Sequence, residues 1–260
     1  MTDILKKIAG IRLERLASEK RIANLEAVTK RAAQRKRPLD FLKALAEPGP
    51  HIIAEVKKAS PSKGVFKEDF DPVPLVQAYE RGGASAVSVL TEQDHFFGSI
   101  GVLESVRQEV SLPLLRKDFI TDPYQVIEAR AAGADSFLLI VGLLDLISLR
   151  RLMATGRAWR MEPLVEVHDL QELSTALEAE AKLIGINNRN LTTFGVDLEI
   201  SLRLVKSVPK DCTVISESGI RTREDIMRLA EAGIKGFLIG ESLVTASDPA
   251  TKIQELIYGS

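Results

Sequence analysis

From Ile52 onward, short apolar runs alternate with longer amphipathic stretches, and this alternation constrains the fold more than any other feature. The eight runs are Ile52–Val56, Ala86–Leu90, Leu112–Leu115, Ser136–Ile140, Pro163–Val167, Leu183–Ile186, Thr213–Ile215 and Gly236–Ile239. Helical stretches lie between them, among them Asp71–Gly82, Pro123–Ala132, Leu144–Thr155, Leu170–Ala179 and Arg223–Ala232. Strands alternating with helices imply a parallel sheet. An internal echo sharpens this. Gly82-Gly83-Ala84-Ser85-Ala86-Val87 resembles Ala132-Gly133-Ala134-Asp135-Ser136-Phe137 and Ala232-Gly233-Ile234-Lys235-Gly236-Phe237. Each reads as a helix-ending glycine feeding a strand. The echoes are two and then four units of about 25 residues apart, and Ala179–Leu183 fits the missing multiple with its glycine replaced. A βα unit of that length, made eight times, gives an α/β fold of the (β/α)8 TIM-barrel type. The alternative is a doubly wound open sheet, but no glycine-rich dinucleotide fingerprint follows any run.

The barrel is expected over 48–260, preceded by an N-terminal helical extension over 1–47, in a single domain overall. Ile4, Leu5, Ile8, Ile11, Leu16, Leu25 and Val28 recur at helical spacing among charges. Pro38 is expected to interrupt this pattern, with Asp40 capping a short second helix.

An apolar share of 45% in 260 residues suffices for a large core, and a net charge of -1 selects for neither nucleic acid nor an anionic membrane. The basic run Lys30–Arg37 reads as a solvated helix face running into a loop, with a nucleic-acid patch as the alternative. The lone Cys212 has no internal disulfide partner and precedes an apolar run, so it reads as a small packed residue. No apolar run reaches membrane-spanning length and no secretory leader follows Met1, which points to the reducing cytoplasm.

In such barrels, reacting groups sit at the C-terminal ends of strands. The residues closing the runs are Glu55 and Lys57; Thr91 and Glu92; Lys117 and Asp118; Glu166 and His168; Asn187, Asn188 and Arg189; Ser216, Glu217 and Ser218; and Gly240, Glu241 and Ser242. Glu55 and Lys57, two apart on a strand, face the same side. Such charges are costly to bury unless they are used. Lys117 is expected to have a lowered pKa suited to an acid, the alternative being an ion pair with Glu55 or Asp118. Arg116 should point to the opposite face. Glu166, flanked by apolar residues, is expected to have a raised pKa suited to a general base. His168 reads as a capping or surface group. Ser218, Gly219, Gly240 and Ser242 end the last two strands, where barrels commonly bind phosphate; two unliganded helix caps are the alternative. Phe96 and Phe97 offer a wall for a planar ring. The three histidines have no ligand spacing, and cations share the mouth with the carboxylates, so a metal is disfavoured.

Together these strings resemble the indole-3-glycerol phosphate synthase family of tryptophan biosynthesis. The matching text is Ile53-Ala54-Glu55-Val56-Lys57-Lys58-Ala59-Ser60-Pro61-Ser62, Leu90-Thr91-Glu92 with Phe96-Phe97-Gly98, Leu114-Leu115-Arg116-Lys117-Asp118-Phe119, Leu164-Val165-Glu166-Val167-His168, Gly185-Ile186-Asn187-Asn188-Arg189, Ser216-Glu217-Ser218-Gly219-Ile220 and Gly240-Glu241-Ser242-Leu243. The resemblance implies ring closure of 1-(2-carboxyphenylamino)-1-deoxy-D-ribulose 5-phosphate with loss of carbon dioxide and water, in the monofunctional form of the family. It implies Lys117 as general acid and Glu166 as general base, with Lys57 and Arg189 near the substrate's anionic groups. It also implies that Glu55, Asn187 and Glu217 orient the lysines and hydroxyls. Ser218, Gly219, Gly240 and Ser242 would hold phosphate, Phe96 would line the aryl pocket, and Ser60 and Ser62 would belong to a mobile loop. Which lysine gives the decisive proton stays open. The resemblance implies no cofactor or metal. The partner is a phosphorylated small molecule, not nucleic acid or membrane; a weak homodimer, or association with other enzymes of the pathway, stays open. A phosphate-binding ketose isomerase is the nearest rival.

Overall fold

The computed structural model of the protein describes residues 3–61, 63–190 and 192–259. Its eight parallel barrel strands, numbered here first to eighth, are His51–Val56, Ala86–Leu90, Leu114–Lys117, Ser136–Ile140, Leu164–Val167, Leu183–Asn187, Thr213–Glu217 and Gly236–Ile239. Each pairs with the next in chain order, and the eighth closes onto the first. The third and seventh strands run further than their apolar runs. Lys117 pairs in register with Leu90, and Glu217 with Asn187, so polar residues continue the ladder to the barrel mouth.

The helices are α1 (Asp3–Ile22), α2 (Leu25–Gln34), α3 (Pro72–Gly82), α4 (Ile100–Glu109), α5 (Pro123–Ala132), α6 (Leu146–Ala158), α7 (Leu170–Glu178), α8 (Glu199–Leu204), α9 (Arg223–Glu231), α10 (Glu241–Val244) and α11 (Pro249–Tyr258). Their starts are written locally. Asp71 and Asp122 cap α3 and α5 by accepting backbone N–H groups, each followed by a proline whose missing N–H would have no helical partner. The echoed glycines Gly83, Gly133 and Gly233 all adopt left-handed backbone, at φ 91, 99 and 100°. At the fourth echo Glu180 takes the same left-handed conformation, φ 62°, without being glycine.

Strand alternation divides the core in two. One face of each strand packs under the helices, with Ile52, Ala54, Val87, Val89, Val165, Ile184, Ile186 and Phe237. The other fills the barrel, with Ile53, Ala86, Leu115, Leu138, Leu164, Leu183, Ile215 and Leu238. Two residues further along several of these inward rows come Glu55, Lys117, Glu166 and Glu217. Arg116 points outward as expected, buried between barrel and helices, where it donates to Thr91, to Asp118 and to the Gln125 carbonyl.

The extension differs from its predicted layout. Its helix breaks at Asn24, which caps α2 by accepting from Ala27 N, rather than first at Pro38. Beyond Pro38, Asp40 accepts from Lys43 N at 3.0 Å, but it caps only a 3-10 turn, Lys43–Leu45. Leu5 and Ile8 of α1, together with Phe41 and Leu45 of the later turn, join the barrel-interior core. The basic run is more integrated than a solvated face: Arg35 donates to the Ala131 carbonyl at 2.7 Å, Arg130 donates to the Lys36 carbonyl, and Arg31 pairs with Glu104. Among the described residues, no helix is long and apolar enough to cross a membrane.

Candidate active site

The C-terminal ends of the strands open into a cavity of ≈ 580 Å³. Its lining joins Glu55 and Lys57 from the first strand's end, Lys117 from the third, Glu166 from the fifth, Asn187 from the sixth and Glu217 from the seventh. Period-2 alternation delivers these side chains to one interior. Two glycines make room for them. A Cβ on Gly185 would overlap Glu217 Oε1, and one on Gly240 would overlap Glu55 Oε2.

Lys117 occupies the centre of the charge cluster. Its Nζ lies 2.7 Å from Glu217 Oε2 and 3.4 Å from Glu166 Oε2. These partners replace the Glu55 and Asp118 alternatives read from sequence. Asp118 turns away and accepts from Arg12, Thr91 and Arg116. Lys57 Nζ lies 2.6 Å from Glu55 Oε2, as their spacing predicts. Glu166 Oε1 accepts from Asn187 Nδ2 at 3.2 Å, and Asn187 Oδ1 accepts from Arg189 N at 3.0 Å.

The protonation pattern reverses two expectations. Burial opposes the charged form of Lys117, but Glu217, Glu166 and Glu55 outweigh it and hold the ammonium above its ordinary value, not below. Burial likewise opposes ionisation of Glu166. Lys117, His168 and Asn187 outweigh that too, so its carboxyl is held below the usual range rather than raised. The raised carboxyl is Glu217. Burial, reinforced by Glu166 and Glu55, pushes it up to about 7 against the pull of Lys117. Sequence pattern shows that a glutamate is desolvated, but not which cations face it.

The two ends of the cavity differ in character. Leu5, Ile8, Phe96, Phe119, Leu138 and Ile140 form an apolar wall, with the Phe96 and Phe119 rings 6.3 Å apart. Glu92 shapes the loop carrying Phe96 by accepting from the backbone N–H groups of Asp94, His95 and Phe96. Phe97 points outward and is half exposed. Elsewhere Ser218, Gly219, Gly240 and Ser242 line the cavity with Arg221 and Lys252. Ser218 and Gly219 both take left-handed backbone, φ 68 and 85°. A Cβ on Gly219 would overlap Val196. The Ser242 hydroxyl is buried without a hydrogen-bond partner, as a group awaiting a ligand would be.

Ser60 lines the cavity from a short hairpin, Ala59–Ser60 against Gly64–Val65, and Lys63 beyond it pairs with Glu241. Ser62 lies outside the described residues. Arg189 also lines the cavity, its guanidinium donating to the Phe194 carbonyl at 3.0 Å. Two features escaped the sequence reading. Leu5 and Ile8 come from the extension, and no local signal links them to a distant strand end. His168, set aside as a cap or surface group, faces Glu166 at 3.3 Å; its i+2 spacing on the strand was the available clue.

Comparison with known proteins agrees with this arrangement. A family model described as "Indole-3-glycerol phosphate synthase" matches residues 5–256. The indole-3-glycerol phosphate synthase of Albidiferax ferrireducens is 45% identical over 260 residues, covering 98% of this chain and 98% of that protein. The one from Dehalococcoides mccartyi strain CBDB1 is 50% identical over 223 residues, covering 85% and 86% respectively. The solved 3-hexulose-6-phosphate synthase from Salmonella typhimurium matches with a TM-score of 0.64 at 12% identity, over 79% of this chain and 96% of that one, a likeness of barrel fold alone. The chain belongs to the indole-3-glycerol phosphate synthase family.

Proposed function

We propose that this enzyme closes the indole ring through proton exchange by Lys117 and Glu166, on a substrate held with its aryl ring against Phe96 and its phosphate at Ser218, Gly219, Gly240 and Ser242. The reaction is that of the family: 1-(2-carboxyphenylamino)-1-deoxy-D-ribulose 5-phosphate becomes indole-3-glycerol phosphate, with loss of carbon dioxide and water. The observation that carries the assignment of roles is the position of Lys117, an ammonium bonded to two carboxylates in a cavity that has an apolar wall and a region of serine and glycine.

The chemistry follows from these charges. The ring carbon bearing the carboxylate attacks the C2′ carbonyl, and Lys117 gives the forming oxyanion its proton. The bond to the carboxylate breaks, carbon dioxide leaves, and its electron pair restores the aromatic ring. The C2′ hydroxyl then leaves as water with a proton from a lysine, while Glu166 removes a proton from C1′ to set the new double bond. A carboxylate kept ionised is ready to accept that proton, and a lysine kept protonated is ready to donate. Lys57 and Arg189 meet the substrate's anionic groups, while Glu55, Asn187 and Glu217 hold the lysines and hydroxyls in place. Ser60 and Ser62 belong to the loop over the cavity. The phosphate, remote from the bonds that change, supplies orientation. We place the reaction in the cytoplasm, with this phosphorylated small molecule as partner.

The test is to mix the purified protein with the substrate in chelator and follow the rise of indole fluorescence. Glu166→Gln and Lys117→Ala should each lower turnover by ~100-fold or more. Near-normal turnover in either would remove that residue from its role.

A further inference from the structure

His168 follows the fifth strand on the same face as Glu166, and the recognised chemistry gives it no role. It is mostly buried and lies between two carboxylates. Its Nε2 is 3.3 Å from Glu166 Oε1, and its Nδ1 is 3.0 Å from Glu172 Oε2. Glu172 sits in the first turn of α7 and is itself fixed: its Oε2 also accepts the His168 backbone N–H at 2.8 Å. Its own backbone N–H donates to Asp169 Oδ1 at 2.8 Å. Room for it comes from the loop after the fourth strand, where a Cβ on Gly142 would stand 2.8 Å from Glu172 Oε1.

A neutral imidazole carries one N–H, so between two carboxylates it would present a lone pair to one of them. Both contacts are favourable only for the imidazolium. The row therefore alternates in sign: Glu172 anion, His168 cation, Glu166 anion, Lys117 cation. Glu166 is the member that faces the cavity, and its Oε1 and Oε2 are engaged from opposite sides by His168 and Lys117. The Nε2–Oε1 contact is long and not aligned as a hydrogen bond, leaving Nε2 buried without a formal partner. Hydrogen bonds of reacting groups often have this geometry before substrate binds.

We infer that His168 is a positioning residue for Glu166: an imidazolium anchored by Glu172 that fixes the orientation of the Glu166 carboxylate and keeps it ionised between proton transfers. The inference rests on the reading of Glu166 as the base. The pair resembles the orienting carboxylate–imidazole arrangement of hydrolytic triads, with the imidazole acting on a carboxylate instead of a hydroxyl. Its electrostatics agree. Burial opposes the charge, but Glu166 and Glu172 more than offset it and push His168 up to about 10.

Two measurements test this. Ring-nitrogen NMR of ¹⁵N-histidine-labelled protein should show both His168 nitrogens protonated at about pH 8, well above the ordinary histidine value near 6.5. A neutral His168 there would overturn the inference without touching the role of Glu166. Second, Glu172→Gln keeps the shape of the anchor and removes its charge, and His168→Gln removes the imidazolium. Each should lower kcat by ~10-fold with little change in KM, and move the acidic limb of the kcat/KM profile upward by about one pH unit. Two folded variants with wild-type kcat and an unmoved acidic limb would reduce His168 to a structural contact. Loss of activity in Glu166→Gln alone would then still leave Glu166 as the base.

Discussion

Lys117 stands closer to Glu217 than to Glu166, at 2.7 against 3.4 Å, yet Glu217 is the carboxyl that holds its proton more tightly. Distance to the ammonium does not decide the order. Glu166 also has His168 and Asn187 facing it, whereas Glu217 Oε1 is buried with no partner and faces two other carboxylates. A charge in a dry site is governed by everything that surrounds it.

This gives a pH dependence. Folding raises Glu217 from the ordinary 4.5 to about 7, so the folded state binds this proton more strongly than the unfolded chain. The associated stability is complete below the unfolded value and is lost as pH rises through about 7. The loss amounts to at most ~3 kcal/mol. Glu217→Gln is neutral throughout. Its Tm relative to wild type should therefore rise between about pH 5 and pH 8. A constant offset across that range would mean that Glu217 is already ionised at the acidic end.

Arg12 ties the extension to the strand end that carries Lys117. Its guanidinium is buried, 3.3 Å from Asp118 and 2.8 Å from Glu19. Arg12→Met leaves the buried acidic cluster short of one cation, at a cost of ~3 kcal/mol. Tm should fall by ~6–10 °C in a chain of this size. Leu5 and Ile8, on the same helix, line the apolar wall of the cavity, so KM should rise more than kcat falls. An unchanged KM alongside a lowered Tm would separate the extension from substrate binding.

Glu180 is exposed and held at φ 62°, where an L side chain is strained. Three equivalent turns use glycine. Glu180→Gly should stabilise the protein by ~0.5–1 kcal/mol, the relief of left-handed strain less the entropy glycine loses on folding. Gly233→Ala is the reciprocal control. Its φ is 100° and nothing lies within 4 Å of the new Cβ, so any loss of stability is backbone strain alone. Chemical denaturation of both variants gives the two signs, and a destabilised Glu180→Gly would show that the turn is not strained.

The sequence by itself determined the barrel. Period-2 runs, caps at Asp71 and Asp122, and glycines at 83, 133 and 233 are local signals, and each acts within a few residues of where it is written. It also determined which side chains reach the mouth, because alternation along one strand fixes that Glu55 and Lys57 share a face and that Arg116 opposes Lys117. Only the tertiary structure decided how those groups pair. The partners of Lys117 are 49 and 100 residues away, and their geometry comes from barrel closure and stagger. That pairing turned the expected acid and base shifts around, moved the raised pKa to Glu217, and placed His168 beside Glu166. The extension shows the same limit: its helices were legible as helices, but their place over the cavity rests on Arg12 meeting Asp118, 106 residues away. Periodicity reports which face is buried, whereas the electrostatics of a buried site depend on what the fold brings opposite it.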